Sequence, residues 1–480
     1  MNRRSFLRSG AVVGGALALS SPFHALGLQA AAGQGPRQSL GYGPLIPQGE
    51  LALPEGFSYQ VLSRQGDRMR DGALTPGCFD GMGSFRGPQG TTILIRNHEN
   101  RIARRALGEV PVIVPQGFAY DTDPAYIAGC TKLLVDRRPD GTFELLDDFA
   151  ILGGTDNNCA GGVMPWGSWV TCEEVVRAGA TGKKHGYIFE IDASSPYAVP
   201  AVPIPGAGRF AHEASVWYQG ALYETEDRRL KDSLDVPPAL SQGGSCFYRY
   251  VPDTNGRPVS LTDTQGVLQA LKIKGEFNAN MDIGREVGMP YGVEWVTIDN
   301  PDHDDNTDNT SAATRFQAQA KGAAVFDRME GAWASPGGSI FFDCTVGGPL
   351  QLGQVWEYNA HRNTLTLVYE STSAATLQGP DNVVVVPHTG DVFLCEDAAA
   401  PQYIRGLTGD GEIYDFALGL NNDTEFAGAC FDATGHTLFV NHYGERGALP
   451  LGPPGNLPGA PPMGGVTFAI TGPFNQRSRH

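Results

Sequence analysis

Charged residues are scarce in this 480-residue chain, at 18%, and lysine plus arginine (35) are outnumbered by aspartate plus glutamate (52). The formal net charge of −17 argues against nucleic acid as a partner, because its phosphates would be repelled. An anionic ligand would need local positive charge, which bound metal cations supply most directly. The chain also lacks a CxxC pair. Its eight cysteines are widely spaced, which excludes a disulfide scaffold but leaves one or two disulfides open.

Long apolar runs are missing as well. No segment offers about 18 unbroken apolar residues, so the sequence predicts no stable membrane anchor. The N-terminus is similar to a twin-arginine signal, with Arg3-Arg4, Phe6-Leu7, a mild apolar run from 11 to 20 and alanines at 30–32. An ordinary secretory signal that happens to carry two arginines is the alternative. We therefore predict a signal peptide (1–32), a linker (33–50) and a single domain (51–480), with export through the twin-arginine machinery to the periplasm or the medium.

Long amphipathic helical patterns are scarce, whereas glycine (63) and proline (34) make up about a fifth of the chain. Short β-branched and aromatic runs recur between turn residues, which is typical of an all-β fold. One unit returns six times: a glycine turn, about five apolar residues, and a polar end. Six copies predict an all-β, six-bladed β-propeller with inserted loops and short helices. The copies are Gly90–Glu99, Gly167–Glu174, Gly220–Asp227, Gly338–Thr345, Gly390–Asp397 and Gly435–His442.

Four of these copies end in carboxylates: Glu99, Glu173–Glu174, Glu226–Asp227 and Glu396–Asp397. Equivalent strands of a propeller lie at equivalent radial positions, so these groups would converge near the axis. Carboxylates crowded in a poorly solvated centre repel one another unless they are protonated or share cations. Hard cations with oxygen ligands, Ca²⁺ first, are the natural partners. The alternative is that each strand end reaches solvent and its acid is simply exposed.

The longest gap between copies contains an acidic stretch, 299–311, followed by a helix-compatible segment, 314–328. The acids alternate as in a calcium-binding EF-hand loop, but Thr307 stands where glycine is needed and Ala313 where glutamate is needed. We read the stretch as a solvated loop.

A longer motif is more specific. The stretch 154–174, GTDNNCAGGVMPWGSWVTCEE, resembles the NNCAxG…TPWGTWLTCEE signature of PhoX-type alkaline phosphatases. Further similar motifs follow in the same order over about residues 45–474. They are Asn97–Glu99, Gly208–Glu213, Gly353–Tyr358, Pro380–Asn382, Cys395–Asp397, Glu425–Phe431, Thr437–Asn441 and Thr467–Pro473. The resemblance implies a six-bladed propeller, a secreted phosphomonoesterase acting on small phosphorylated organic molecules, and an Fe³⁺–Ca²⁺ cluster in the central channel.

Carried over residue by residue, the resemblance implies that Cys159 is the thiolate ligand of Fe³⁺, with Asn157 and Asn158 beside it at the catalytic site. Glu213 resembles a second iron ligand, and Glu174 a calcium or bridging ligand. Glu294, in Val293-Glu294-Trp295, aligns with the glutamate of the family's Arg-Pro-Glu-Trp motif and is assigned as a third iron ligand. Further members of the metal shell are expected at Glu99, Asp227, Glu396, Asp397 and Glu425, each with a structural acid as the alternative. His212 is expected to pack beside the site and not to bind metal.

Two departures from the family pattern bear on activity. Gly292 stands where that alignment has the substrate-binding arginine, which leaves phosphate to the metals, to Asn157 or Asn158, or to another arginine. The candidates for that arginine are Arg209, Arg328 and Arg405. A Pro- and Gly-rich insertion, 444–464, is expected to form a rim or lid. The sequence therefore leaves open a calcium-binding propeller of other specificity, such as a phytase-like enzyme or a lactonase, and a non-catalytic scaffold that binds a partner.

Overall fold

The computed structural model describes residues 40–101, 109–230, 243–253, 260–262, 264–399, 401–420, 422–444 and 464–477. The predicted signal peptide (1–32) and most of the predicted insertion (445–463) lie outside these ranges. Residues 45–47 of the predicted linker form a strand that pairs with residues 52–54. Within the described ranges, no helix has the length and apolar character that a membrane crossing requires.

The described residues form 26 strands, and the predicted all-β class is confirmed. In chain order the strands are β1 Leu45–Pro47, β2 Leu51–Pro54, β3 Ser58–Arg64, β4 Phe79–Arg86, β5 Thr92–His98, β6 Ala128–Arg137, β7 Phe143–Thr155, β8 Asn158–Val163, β9 Ser168–Glu173, β10 Ile188–Asp192, β11 His212–Tyr218, β12 Ala221–Glu226, β13 Tyr248–Pro252, β14 Gly266–Ile273, β15 Pro290–Thr297, β16 Met329–Ala334, β17 Ser339–Cys344, β18 Gln354–Asn359, β19 Thr364–Glu370, β20 Pro380–Val385, β21 Val392–Glu396, β22 Tyr403–Leu407, β23 Ile413–Gly419, β24 Phe426–Phe431, β25 Thr437–His442 and β26 Val466–Thr471.

Among the described residues, one α-helix, α1, spans Thr314–Ala320, and two short 3₁₀ turns span Pro88–Gly90 and Pro205–Ala207. The helix stops well before the predicted limit of 328, because Gly322 takes a left-handed conformation (φ +88°). The acidic loop that precedes the helix is only partly solvated. Asp304 is exposed beside Lys184, whereas Asp308 is buried and pairs with Arg228 and Arg315.

The strands pair antiparallel in five sheets. Their orders are β1-β2-β23-β22-β21-β20, β4-β5-β6-β7, β8-β9-β10, β11-β12-β13-β14-β15-β19-β18-β17-β16, and β24-β25-β26-β3. In the nine-stranded sheet, β15 joins two four-stranded halves by pairing with β14 and with β19. Strands from the two ends of the chain share sheets: β3 pairs with β26, and β2 with β23. This pairing ties the beginning of the described chain to its end.

Six strands form a closed ring at the centre of the fold. In cyclic order, β4 contacts β8, β8 contacts β11, β11 contacts β16, β16 contacts β20, β20 contacts β24, and β24 contacts β4. Each ring strand is followed in the sheet by one of the six repeated units found in the sequence, namely β5, β9, β12, β17, β21 and β25. The repeat therefore marks the second strand of each unit and not the strand nearest the centre.

All six units share one register. The first residue of each ring strand pairs with the last residue of its neighbour, and the register then shifts at a β-bulge or similar irregularity. The pairs are Phe79 with His98, Asn158 with Glu173, His212 with Glu226, Met329 with Cys344, Pro380 with Glu396, and Phe426 with His442. As a consequence, the residue after each strand's paired end lies at the same end of the ring in every unit.

The ring strands approach one another closely at the irregularities, which explains two of their glycines. A Cβ on Gly81 of β4 would lie 2.5 Å from the Cα of Ala160 on β8. A Cβ on Gly331 of β16 would lie 2.6 Å from the carbonyl oxygen of Asp381 on β20. Both positions are too crowded for any side chain.

All eight cysteines are buried, and the structure joins no two of them in a disulfide. The disulfides that the even cysteine count left open are therefore not formed.

Candidate metal centre

Two rows of side chains meet at one end of the ring. The first row is the second residue of each ring strand: Asp80, Cys159, Glu213, Glu330 and Asp381, with Ala427 in the sixth. The second row is the residue immediately after each neighbouring strand: Glu99, Glu174, Asp227, Thr345, Asp397 and Tyr443. The shared register places both rows at the same end, so nine of the twelve positions carry a carboxylate or a thiol.

These rows enclose a cavity of about 270 Å³. Eight carboxylates, one thiol, two guanidinium groups and one phenol line it: Asp80, Glu99, Glu174, Glu213, Glu330, Asp381, Asp397, Glu425, Cys159, Arg101, Arg328 and Tyr443. Two arginines do not balance eight acids, so the cavity holds an excess of acidic groups.

Within the cavity, two groups of side chains have the spacing of metal ligands. Ligand atoms of Cys159, Glu174 and Glu213 lie within 4.8 Å of one another, and so do those of Glu213, Glu330 and Asp381. Glu213 belongs to both groups, so two cations bound there would share it as a ligand. Thiolate in the first group suits a transition metal, whereas the all-oxygen second group suits a hard cation.

Crowding and burial raise the pKa of most of these acids. Burial, followed by the charge of Asp227, raises the pKa of Glu174 to about 8. Burial, followed by the charge of Asp397, raises the pKa of Asp381 to about 8. The pKa values of Glu213 and Glu330 rise well above the usual range, again from burial first and then from neighbouring carboxylates.

The same environment acts on the thiol and on Asp80. Burial, and then the charge of Glu213, raises the pKa of Cys159 well above its ordinary value. The Cys159 sulphur lies 3.1 Å from the carbonyl oxygen of His212, to which the thiol donates. Asp80 is buried, and its Oδ1 has no hydrogen-bond partner in the described structure. A buried carboxylate oxygen without a donor is costly, and a bound cation would satisfy it. These residues therefore fit a multivalent cation cluster.

Strained backbone precedes several ring strands. Cys78, Asn157 and Arg328 adopt left-handed conformations, with φ of 52°, 56° and 53°, directly before β4, β8 and β16. Such a conformation costs a non-glycine residue about 1–2 kcal/mol. In these three units the left-handed residue stands two positions before the ring-strand side chain that lines the cavity.

Arg328 is held in a fixed orientation at the cavity wall. Its Nε and Nη2 donate to the two carboxylate oxygens of Asp227, both at 2.9 Å, and Nη2 also donates to Glu330. This pairing lowers the pKa of Asp227 although burial alone would raise it. These bonds fix the plane of the guanidinium at the cavity wall.

Most of the predicted site residues come together here. Cys159, Glu174, Glu213, Glu99, Asp397 and Glu425 all line the cavity. Asp227 lies beside it and pairs with Arg328. Asn157 donates to Glu174 (2.6 Å) and accepts from Arg101 (2.8 Å). His212 binds Glu224 and the Gly208 carbonyl through its two ring nitrogens.

Three predicted residues do not reach the cavity. Asn158 is buried below it, bonded to Thr155 and Thr171. Glu396 pairs with Arg405 at 3.0 Å, because it is the last residue of β21 and points to the opposite face from Asp397. The expectation that Glu294 is a metal ligand is corrected by the structure: Glu294 lies mid-strand in β15, 46% exposed, and pairs with Lys272.

Glu330 lines the cavity and was not predicted from the sequence. The sequence Arg328-Met329-Glu330 repeats the Arg-x-Glu spacing of the family motif, and both charged side chains line the cavity. Gly292 and Glu294 do not line the cavity. Asp80 and Asp381 were also missed. Their signal was weak, a single acid at the start of a short strand, although Asp381 lies within a motif that resembles the family.

Residues 40–444 match the profile of the alkaline phosphatase PhoX family. The chain belongs to the PhoX family. The predicted membership is thus confirmed. No curated protein matches the sequence significantly.

Among solved structures, the fold is similar to Pseudomonas fluorescens PhoX in complex with vanadate, a transition state analogue. The TM-score is 0.65 at 18% identity, over 90% of this chain and 98% of that chain. A Dyadobacter fermentans protein of unknown function gives 0.44 at 10% identity, over 87% and 100%. The calcium-binding protein regucalcin from Agrobacterium tumefaciens gives 0.37 at 11% identity, over 88% and 98%. The PhoX likeness extends over nearly the whole of both chains.

Proposed function

We propose that this PhoX-family chain is a metal-dependent phosphatase that hydrolyses phosphomonoesters in the acidic cavity. One observation carries the proposal. The ligand atoms of Cys159, Glu174 and Glu213 lie within 4.8 Å of one another, so they can share one metal ion, and Arg328 lines the same cavity. A cation cluster reverses the sign of the local field, which allows a protein of net charge −17 to bind a phosphate dianion. A small phosphorylated organic molecule is the proposed substrate.

The proposal includes the architecture. We interpret the ring of β4, β8, β11, β16, β20 and β24 as the inner strands of a six-bladed propeller. In this interpretation the nine-stranded sheet is two blades joined through β15, and β3 completes the last blade by pairing with β26.

The proposed metals are Fe³⁺ and Ca²⁺. Cys159 and Glu213 would hold iron, because a thiolate favours a transition metal over the hard cations that carboxylates bind. Glu174, Glu99, Asp397 and Glu425 would hold calcium. Glu330 and Asp381 are the further proposed ligands, because with Glu213 they form the second group of closely spaced ligand atoms. Bound cations of this kind supply charge neutralisation and Lewis acidity at the phosphoryl oxygens.

The chain's own groups supply the rest. Arg328, held by Asp227, presents its guanidinium to the phosphoryl group in a fixed plane, so little entropy is lost when it binds. Arg209 and Arg405, the other candidates, do not line the cavity. Arg209 donates to the carbonyl oxygens of His185 and His303. Arg405 pairs with Glu396 and Asp415.

Asn157 connects the two sides of the site, since it bonds both Glu174 and Arg101. The thiol proton of Cys159 must leave when the sulphur binds metal.

We also propose export to the periplasm or medium by a twin-arginine signal in residues 1–32, followed by action outside the cytoplasm.

The test is elemental analysis paired with an aryl phosphatase assay on protein purified after export. We expect iron and calcium together with phosphomonoesterase activity. Cys159→Ser should lose iron and at least about 100-fold in kcat. The matched control is Cys430→Ser, which alters a buried thiol away from the cavity and should retain both. Full iron and full activity in Cys159→Ser would contradict the assignment of the site.

The alternatives predict different results. A calcium-binding propeller of other specificity would hold calcium without iron and hydrolyse phytate or a lactone. A non-catalytic scaffold would show a full metal content without turnover of any phosphate ester. The glycine at 292 favours the scaffold, whereas Arg328 in the cavity supports the phosphatase.

A further inference from the structure

We propose that Arg101 is a second phosphate-binding residue. When no cations are bound in the cavity, Arg101 neutralises Glu99 and Glu174. When cations are bound, its guanidinium turns to the substrate phosphate. The inference rests on the proposed function. It assigns a role to a residue that no sequence motif singled out.

The two arginines of the cavity are held differently. Arg328 is bound in a bidentate pair with Asp227, and its side chain is 23% exposed. Arg101 is 52% exposed at the mouth of the cavity, and its Nη2 contacts Glu99 at 2.5 Å and Glu174 at 3.8 Å. The contacts of Arg101 with carboxylates all run through one terminal nitrogen, so this end of the half-exposed guanidinium can reorient at little cost.

The partners of Arg101 are groups that cations would take over. Glu99 and Glu174 both line the cavity and are proposed calcium ligands. A divalent cation bound to these carboxylates neutralises the negative charge that attracts the guanidinium. The cation also repels the guanidinium directly, because both are positively charged. The dianionic phosphate then becomes the strongest acceptor within reach, and its geometry matches the guanidinium fork.

Asn157 prevents Arg101 from leaving the cavity when this exchange occurs. Its Oδ1 accepts from Arg101 Nε at 2.8 Å, and its Nδ2 donates to Glu174 at 2.6 Å. The Nε bond does not depend on the carboxylates, so it can persist after cations bind. Asn157 is therefore a positioning residue for Arg101.

The experiment compares Arg101→Gln, Arg101→Lys and wild type, with Arg64→Gln as the matched control. Arg64 is also about half exposed and pairs with a glutamate, Glu50, away from the cavity. For each protein, metal content is measured by elemental analysis and the dissociation constant of inorganic phosphate by competition in the phosphatase assay. Thermal unfolding is recorded after chelation and after metal loading.

We expect Arg101→Gln to retain its metals and to bind phosphate about tenfold more weakly, with Arg101→Lys between it and wild type. Arg101→Gln should lower the Tm of the chelated protein and leave the Tm of the loaded protein nearly unchanged, because Arg101 has left the carboxylates by then. Arg64→Gln should not change phosphate binding.

Unchanged phosphate binding in Arg101→Gln would overturn the inference. So would loss of metal together with phosphate binding, or an equal fall in Tm in the chelated and loaded states, since either result assigns Arg101 a structural role. Failure of the proposed function looks different: metal-loaded wild type would then neither hydrolyse the aryl phosphate nor be inhibited by phosphate.

Discussion

Arg328 binds Asp227 through two parallel hydrogen bonds, Nε to Oδ1 and Nη2 to Oδ2, both 2.9 Å long. The sequence assigned Asp227 to the metal shell, but the structure gives both of its oxygens to the arginine. Asp227 follows β12, as the repeated unit predicts, but here its carboxylate holds the guanidinium of Arg328.

This relationship predicts a specific phenotype for Asp227→Asn. The amide keeps the shape but can accept only one of the two bonds, so Arg328 is oriented less well. We expect KM for an aryl phosphate to rise about tenfold while iron and calcium are retained. Asp304→Asn, which alters a surface ion pair with Lys184, is the control. Loss of metal in Asp227→Asn would return Asp227 to the ligand set.

Glu330 and Glu294 offer a direct test of the corrected assignment. Glu330→Gln should lose bound metal and at least about 100-fold in kcat, because Glu330 is one of the three close ligands with Glu213 and Asp381. Glu294→Gln should match wild type in both measurements, since Glu294 pairs with Lys272 at a partly exposed position. Metal analysis of the two purified variants decides between them, and the opposite pattern would restore the original alignment.

The raised pKa values predict how the chelated protein responds to pH. Glu174 and Asp381, each with a folded pKa of about 8, bind more protons in the folded state than at their ordinary pKa near 4 in the unfolded chain. Stability must therefore fall as pH rises from about 4 through 8, where these groups ionise in each other's presence. We expect the Tm of chelated protein to drop by several degrees between pH 5.5 and 8.5.

Metal loading should remove most of that dependence, because the carboxylates are then ionised and paired at both pH values. Thermal unfolding with and without added calcium and iron provides the comparison. A chelated protein whose Tm rises over this interval would show that the acids are not crowded as the structure has them.

The close contacts between ring strands predict the cost of Gly81→Ala. Its Cβ would lie 2.5 Å from the Cα of Ala160, a backbone atom that cannot move without shifting β8. We expect a loss of about 1–3 kcal/mol in the free energy of unfolding and weaker metal retention, since Cys159 adjoins Ala160. Gly337→Ala, where the nearest atom is a serine oxygen at 3.8 Å, is the control. Equal unfolding free energies for the two variants would contradict the tight packing of the ring.

How much of the site was predictable differs between its two rows. Glu99, Glu174, Asp227 and Asp397 were found because each follows a glycine turn and an apolar strand, a pattern that repeats visibly in the chain. Asp80 and Glu330 were not found, because they stand at the second position of short strands whose sequences share no pattern. The glycine next to each of them was a signal, since both ring strands need a residue without a side chain there.

The sequence by itself determined the all-β class, the six repeated strands with their polar ends and the PhoX family, because these depend on local composition and on motifs in linear order. From the sequence, Glu294 was assigned to the family's Arg-Pro-Glu-Trp motif and Glu330 was not singled out. Only the tertiary structure decided that Glu330 reaches the cavity and Glu294 does not, and that Arg101 and Arg328 flank it. The physical reason is that the cavity exists where six strands distant in sequence close into a ring in a common register, and neither the register nor the closure is encoded in any one segment.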